Sequence, residues 1–344
     1  MAAVGPRFFA LLLVASVFVF YLTVINYENR LSALQSRLTY IERRLATPDA
    51  DAAETVGDET VVIYNRVPKT GSTTFMGICY DICEKQGFNV IHLNTSKNAH
   101  VMSSVDQMEF VTNITTWKQR LPALYHGHIA FIDFAAFGVQ RRPIYVNLIR
   151  RPLDRLVSHY YFLRYGDDFR PHLVRTRAGD TETFDDCVRL NHSDCQPRLM
   201  WIQVPFFCGM AAFCWEPGSR QALEAAKHNL VHHYLLVGTT ERLPEFVALL
   251  EALMPSMFSG ASRALEKGGK SHLRKTQRKL EPSPETKATI QASAVWKVES
   301  EFYRFAEQQF NFVKQKTMVA APGGRLRPRP RAYHYEKIRP NKPK

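Results

Sequence analysis

Between Val61 and Phe75 the chain reads VVIYNRVPKTGSTTF. An apolar, β-prone run ends in a turn containing Pro68, Lys69 and Gly71, and small hydroxyl residues then open a helix. A strand–turn–helix of this kind aims backbone N–H groups and the positive end of a helix dipole at an anion. Lys69 adds a point charge, and Ser72, Thr73 and Thr74 add hydroxyl donors. The spacing is not that of an ATP-hydrolysing P-loop, because the lysine precedes the glycine instead of following it. A phosphate-bearing ligand and an ordinary βα turn are the two readings of this stretch. IYVNLIRRPLDRLVSHYYF repeats the theme with Arg150 and Arg151 at a strand end, Pro152 at a helix start and Ser158 about two turns in. Ligands of open α/β sheets sit outside the carboxyl ends of the strands, so Lys69 and Arg150 are placed to meet opposite ends of one bisphosphate nucleotide.

A third stretch, YHGHIAFIDF, sets His126 and His128 one residue apart in an apolar run. If the run is a strand, both imidazoles share a face. Core histidines with satisfied hydrogen bonds, metal ligands and an acid/base pair all fit that pattern. No carboxylate or third histidine at recognisable ligand spacing accompanies the pair, which weakens the metal reading.

The elements that must hold these residues alternate. Strands are predicted over 61–65, 89–93, 123–134, 143–149 and 234–238, and helices over 72–85, 152–163, 219–232 and 244–254. Val295, Val298, Phe302 and Phe305 make a late helical stripe that reads as core. Strand–helix alternation implies an α/β fold with a central, mainly parallel sheet and helices on both faces.

Ahead of this domain, Phe8 to Ile25 is an uncharged apolar run preceded by Arg7. It exceeds a signal-peptide core and is long enough to span a bilayer. The division expected is a cytosolic tail at 1–7, a transmembrane signal anchor at 8–26, a stem and linker at 27–58, and a lumenal domain at 59–344 with a basic C-terminal tail. A cleaved signal peptide is the competing reading. Leu31, Leu34, Leu38, Ile41 and Leu45 form a short heptad seam, read either as an oligomerising coiled-coil stem or as a single amphipathic helix. Lumenal exposure agrees with sequons at Asn94, Asn113 and Asn191. It agrees also with four clustered cysteines, whose short loops favour Cys187–Cys195 and Cys208–Cys214 disulfides over a zinc site. Cys79 and Cys83, four apart on the first helix, read as buried thiols.

The formal net charge is +13. Residues 141–177 hold nine arginines, and 263–279 hold seven Lys/Arg against one acid. Such patches suit a polyanion, since the guanidinium fork matches sulfate and carboxylate, and a solvated charged face is the bland alternative. The anchor and sequons disfavour nucleic acid.

RVPKTGSTTF, YHGHIAFIDFAAFG, IYVNLIRRPLDRLVSHYYFLRYGDD, PFFCG and KSHLRKT, in that order, resemble the heparan sulfate 2-O-sulfotransferases, within the wider uronyl 2-O-sulfotransferase-like group. The resemblance runs from about Asn65 to about Pro340. It implies a sulfotransferase (P-loop-like) fold and a homotrimeric, single-pass type II protein of the Golgi membrane. Such a protein would take sulfate from 3′-phosphoadenylyl sulfate (PAPS) to the 2-hydroxyl of iduronic acid, without a metal. The dermatan and chondroitin 2-O-sulfotransferases share the strand–turn–helix elements. The glucuronyl C5-epimerase is an implied partner. Carried over by position, Lys69, Thr70, Gly71, Ser72 and Thr73 surround the 5′-phosphosulfate, and Arg150 and Ser158 take the 3′-phosphate. Ser271, Thr276 and Lys279 complete the cofactor loop. Arg164, Arg170, Arg175, Arg274 and Lys337 fall on sugar-contacting positions, and His126 and His128 on the essential histidines. Sulfuryl transfer needs a base for the sugar hydroxyl and a cation at the leaving phosphate oxygen, roles that suit His128, with His126 beside it, and Lys69. Two departures stand out: Arg151 where the family has an acid, and Leu265 where it has an aromatic residue near the adenine.

Overall fold

The computed structural model describes residues 59–336 apart from 140–141, 168–169, 268–275, 277, 322–325, 331 and 334–335. The expected tail, anchor and stem therefore lie outside the described residues, as do Ser271, Arg274 and Lys337.

Strands β1 (Val61–Asn65), β2 (Asn89–Leu93), β3 (Ala123–Gly127), β4 (Ile144–Ile149) and β5 (Tyr234–Thr239) form one sheet in the order β2-β3-β1-β4-β5. Every pairing in it is parallel. The helices are α1 (Ser72–Gln86), α2 (Ser104–Thr116), α3 (Pro152–Tyr165), α4 (Phe184–Arg189), α5 (Gln203–Cys208), α6 (Arg220–His233), α7 (Leu243–Leu253), α8 (Pro255–Phe258), α9 (Ala261–Glu266), α10 (Pro284–Gln291) and α11 (Ala294–Thr317). A short antiparallel hairpin, β6 (Met318–Ala320) with β7 (Leu326–Pro328), comes after α11.

Alternation along the strands sorts the core into two layers. Val62, Tyr64, Leu124, Val146, Leu148 and Leu236 face α1, α7, α8 and α9, where Phe75 meets Tyr64 and Phe246 edge-on at 5.1 and 5.3 Å. Tyr145 and Tyr234 point the other way, toward Phe131 and Phe207, and Phe207 leads on to Phe302 of α11. Helices thus cover both faces, as a parallel sheet requires. On α11 the buried stripe runs through Val295, Val298, Phe302, Ala306 and Phe310, whereas Phe305 is half-buried and lies under Lys227.

Local chemistry sets the helix ends. Pro152 stands at the start of α3, where its missing N–H costs nothing. Gly87 ends α1 at φ 68°, a left-handed conformation that suits glycine. Ser103 and Ser293 cap α2 and α11 by accepting from Asp106 and Trp296 N–H.

The strand expected over 123–134 stops at Gly127. Its register partners are Asn65 and Leu93, the last residues of β1 and β2, so both neighbours end there. A Cβ on Gly127 would lie 2.8 Å from both Leu93 Cβ and Leu93 O, so the close strand approach requires glycine. Beyond it the chain bonds to loop and helix residues instead, Ala130 N–H to His100 O and Phe131 N–H to Phe206 O. Disulfides join Cys187 to Cys195 and Cys208 to Cys214, the pairing expected from loop length, with Cα atoms 6.1 and 5.6 Å apart. Asn94, Asn113 and Asn191 are all exposed.

Candidate active site

The chain leaves β1 toward β2 and β3 on one side and reaches β4 and β5 on the other. The strand order therefore reverses between β1 and β4, the crevice where α/β sheets bind ligands. The turns after those two strands, Arg66–Gly71 and Arg150–Arg151, meet there: Arg150 Nη1 donates to Lys69 O at 3.4 Å.

The first turn is backbone-strained and tightly held. Lys69 has φ 67° and Gly71 φ 75°. A non-glycine residue in that region is uncommon and persists only where its surroundings hold it. Thr70, fully buried, donates its hydroxyl to Val67 O at 2.9 Å. From the β5 side Thr240 Oγ1 lies 2.8 Å from Thr70 O and 3.0 Å from Ile149 O, joining the ends of both turns. Gly71 begins α1 without a side-chain cap, and no acid occupies the first helical turn, so the positive end of the helix faces the crevice.

Lys69, Ser158 and Thr276 converge although they are far apart in sequence. Lys69 Nζ lies 3.4 Å from Thr276 Oγ1 and 3.9 Å from the Phe162 ring centroid, and Ser158 Oγ lies 3.2 Å from Thr276 Oγ1. An isolated bridge between Asp167 and Thr276 holds Thr276 at this point. Lys279 instead pairs with exposed Glu281 at 2.9 Å. Ser72 Oγ accepts from Arg66 Nη2 at 3.2 Å.

The two histidines occupy different environments. His126 lies within β3 and is buried. Arg66 Nη1 is 3.1 Å from its Nδ1, and Tyr80 Oη is 2.8 Å from its Nε2. Arginine only donates, so Nδ1 accepts and the neutral ring carries its proton on Nε2. His92 stacks on the ring with centroids 4.6 Å apart. Burial, then the charges of Arg66, His92 and His128, push His126 down to about 3. His128 stands one residue past the strand and is half-buried. Its Nδ1 lies 2.7 Å from Arg66 O. A carbonyl only accepts, so Nδ1 is the N–H donor and Nε2 of the neutral ring keeps its lone pair. His100 Nδ1 in turn lies 2.9 Å from His128 O.

Arg164 departs from its expected place at the sugar. Its side chain has no exposure and sits 2.8, 3.4 and 2.7 Å from Asp180, Glu182 and Asp194, with its guanidinium 3.6 Å from the Tyr160 ring centroid. Three carboxylates and a ring enclose it, so its guanidinium is not offered to a ligand. Arg170 is exposed, and its charge helps push His92 down after burial and Arg66. Arg175 pairs with buried Asp167 at 3.5 Å and stacks over Phe162 at 4.3 Å, beside Lys69.

Sequence reasoning missed Arg66, Tyr80 and His92, which surround His126. Arg66 begins RVPKTGSTTF and was legible as a further basic residue beside the turn, whereas Tyr80 and His92 carry no local signal. His159, next to Ser158, was missed too; burial and then Arg155 and Lys69 push it down to about 4.

A parallel α/β sheet with cations, hydroxyls and a helix N-terminus gathered at its switch point has the arrangement with which such folds bind anionic groups. The chain belongs to the sulfotransferase family, whose model matches residues 54–306. It is 48% identical to heparan sulfate 2-O-sulfotransferase 1 of Gallus gallus and 46% identical to that of Homo sapiens, each over 339 residues covering 94% of this chain and 95% of the relative. It is 50% identical to the heparin sulfate O-sulfotransferase of Drosophila melanogaster over 299 residues, 86% of this chain and 84% of that protein.

Proposed function

We propose that this enzyme moves a sulfuryl group from PAPS to the 2-hydroxyl of iduronic acid, and less often glucuronic acid, in heparan sulfate. PAPS, when bound, supplies the sulfuryl group and the leaving phosphate. Lys69, Thr70, Gly71, Ser72 and Thr73 hold the 5′ end, and Arg150, Ser158 and Thr276 hold the 3′-phosphate. The meeting of Ser158 with Thr276, and of Arg150 with the Lys69 turn across the crevice, supports that fit.

One observation carries the reading. The Arg66–Gly71 turn serves both reactants: its Arg66 carbonyl anchors His128 Nδ1, and three residues later Lys69 faces the hydroxyl cluster. His128 Nε2 takes the proton of the sugar hydroxyl as its oxygen bonds to sulfur, a contribution of about 10²–10⁴-fold. Lys69 stabilises the charge that builds on the phosphate oxygen as its bond to sulfur breaks. His126 is not the base, because Arg66 occupies its acceptor nitrogen; it holds Arg66 and Tyr80 in place. Arg170 and Arg175 supply positive charge toward the polysaccharide.

The setting is part of the same proposal. Residues 8–26 anchor the chain in the Golgi membrane with the catalytic domain lumenal, supported by the uncharged apolar run, the exposed sequons and the two disulfides. A homotrimer, and work alongside the glucuronyl C5-epimerase, rest on resemblance alone.

The test is transfer of radiolabelled sulfate from PAPS to desulfated heparan, dermatan and chondroitin, with disaccharide analysis of the products. A 2-O-sulfated uronic acid in heparan alone is expected. Labelling confined to dermatan or chondroitin would reassign the acceptor, and no labelled uronic acid in any of the three would end the enzymatic reading. His128→Ala should abolish transfer while retaining nucleotide binding; full activity in that variant would refute the base.

A further inference from the structure

Arg150 is the first residue beyond β4, whose register with β5 ends at Ile149 and Thr239. A peptide unit at that point has lost its strand neighbour, and burying it unpaired would be costly. Gln203, fully buried at the start of α5, takes the neighbour's place. Its Oε1 accepts from Arg150 N–H at 2.8 Å, and its Nε2 donates to Arg150 O at 2.9 Å. The side-chain amide therefore grips both sides of one residue, as an adjacent strand would. Of the common side chains, asparagine has the same groups but is one methylene shorter, and glutamate lacks the donor.

The amide is itself held. Gln203 Nε2 also donates to Glu299 Oε2 at 3.2 Å. Glu299, fully buried on α11, receives the N–H groups of Ile202, Gln203 and Val204 on Oε1 at 2.9, 3.0 and 3.2 Å. Three backbone donors fix the carboxylate, the carboxylate fixes which way the Gln203 amide faces, and the amide fixes Arg150. From there Arg150 reaches Lys69 O across the crevice. A long-range relay thus runs from α11 to the two turns that form the anion site.

We propose that Gln203, oriented by Glu299, is a positioning residue of the nucleotide site: it sets the Arg150 backbone so that the guanidinium meets the 3′-phosphate. This rests on the assignment of Arg150 to that phosphate. A residue that only supported the fold would change stability; one that positions Arg150 changes preference for a 3′-phosphate.

The experiment is equilibrium binding of 3′-phosphoadenosine 5′-phosphate and of adenosine 5′-phosphate to wild type, Arg150→Ala, Gln203→Leu and Glu299→Gln, with thermal unfolding of each. The quantity read is the ratio of the two dissociation constants. Arg150→Ala is expected to abolish most of the preference for the 3′-phosphorylated nucleotide. Gln203→Leu is expected to cut that preference about tenfold (~1.4 kcal/mol) while leaving adenosine 5′-phosphate binding near wild type. In Glu299→Gln the amide oxygen must still take the backbone donors, so its NH2 meets Gln203 Nε2 donor to donor. A preference lowered about threefold is expected, on the order of half the logarithmic effect of Gln203→Leu. This variant decides the matter if Gln203→Leu does not fold. Wild-type preference in the folded Gln203 and Glu299 variants, with Arg150→Ala defective, would overturn the positioning role. Wild-type preference in Arg150→Ala would instead overturn the phosphate assignment itself, and the proposal with it.

Discussion

Lowering the pH from about 7.5 to about 5 is expected to destabilise the protein in part through His126. In the folded chain burial, then Arg66, His92 and His128, hold this ring at about 3 instead of 6.5. The unfolded chain takes up a proton as the pH falls below about 6.5, and the folded chain does not until about 3. Protons in that window therefore favour unfolding: the stability tied to neutral His126 is complete above about 6.5 and declines as the pH falls. Each pH unit costs about 1.4 kcal/mol, so reaching about pH 5 removes ~2 kcal/mol. That is a large share of the roughly 5–15 kcal/mol typical of a domain. His126→Asn keeps an acceptor within reach of Arg66 and removes the titration. Urea unfolding of both proteins across this range is the assay. The variant should be less stable at about pH 7.5, and its curve should approach that of the wild type at lower pH, with a slope shallower by up to about 1.4 kcal/mol per pH unit. His159 and His233, both pushed down to about 4 chiefly by burial, contribute to both slopes, so the difference isolates His126. Parallel curves for variant and wild type would refute the neutral, Arg66-bonded ring.

Lys69→Ala should lower turnover by about 10²–10³-fold, the scale of one lost donor at a developing negative charge; an unchanged rate takes Lys69 out of the chemistry. Arg164→Met should destabilise by about 3–5 kcal/mol, because Asp180, Glu182 and Asp194 lose the buried guanidinium they share and keep only half-exposed Arg177 at 3.9 Å from Asp194. A stable variant with only a raised KM for polysaccharide would restore Arg164 to the sugar site. Gly71→Ala places a Cβ 3.1 Å from Thr240 Cγ2 at a φ of 75°, so a loss of roughly 1–2 kcal/mol and a raised KM for PAPS are expected. Wild-type unfolding temperature and KM in that variant would count against the strained-turn account.

Where a function is encoded within a short window, the sequence was readable. RVPKTGSTTF carries its lysine, glycine and hydroxyls within one turn, and the turn after β4 carries Arg150 and Pro152 in the same way. The short cysteine loops likewise left little geometric choice for the two disulfides. What failed were properties set at a distance. The end of β3 depends on where β1 and β2 stop, so the apolar run 128–134 reads as strand in the sequence although the strand ends at Gly127. Arg164 looked like another arginine in a basic stretch until folding brought in Asp180, Glu182 and Asp194 from later in the chain. Gln203 and Glu299 are 96 residues apart and carry no motif, so their grip on Arg150 is invisible without the fold.

The histidine pair also shows why two similar side chains take different work. Both bond to Arg66, one to its guanidinium and the other to its carbonyl. The guanidinium can only donate, so it occupies the acceptor nitrogen of His126 and disfavours a second proton there. The carbonyl can only accept, so it fixes the N–H of His128 on Nδ1. In the proposed mechanism the same residue therefore keeps one imidazole from acting as the base and orients the other. Its main chain continues directly into the turn that carries Lys69, whose left-handed φ of 67° is held by Thr70, Thr240 and Arg150. A backbone shift at Arg66 would move the His128 anchor and the Lys69 turn together. In the proposed mechanism proton acceptance and leaving-group stabilisation occur in one displacement, and a shared segment of this kind would keep their separation fixed.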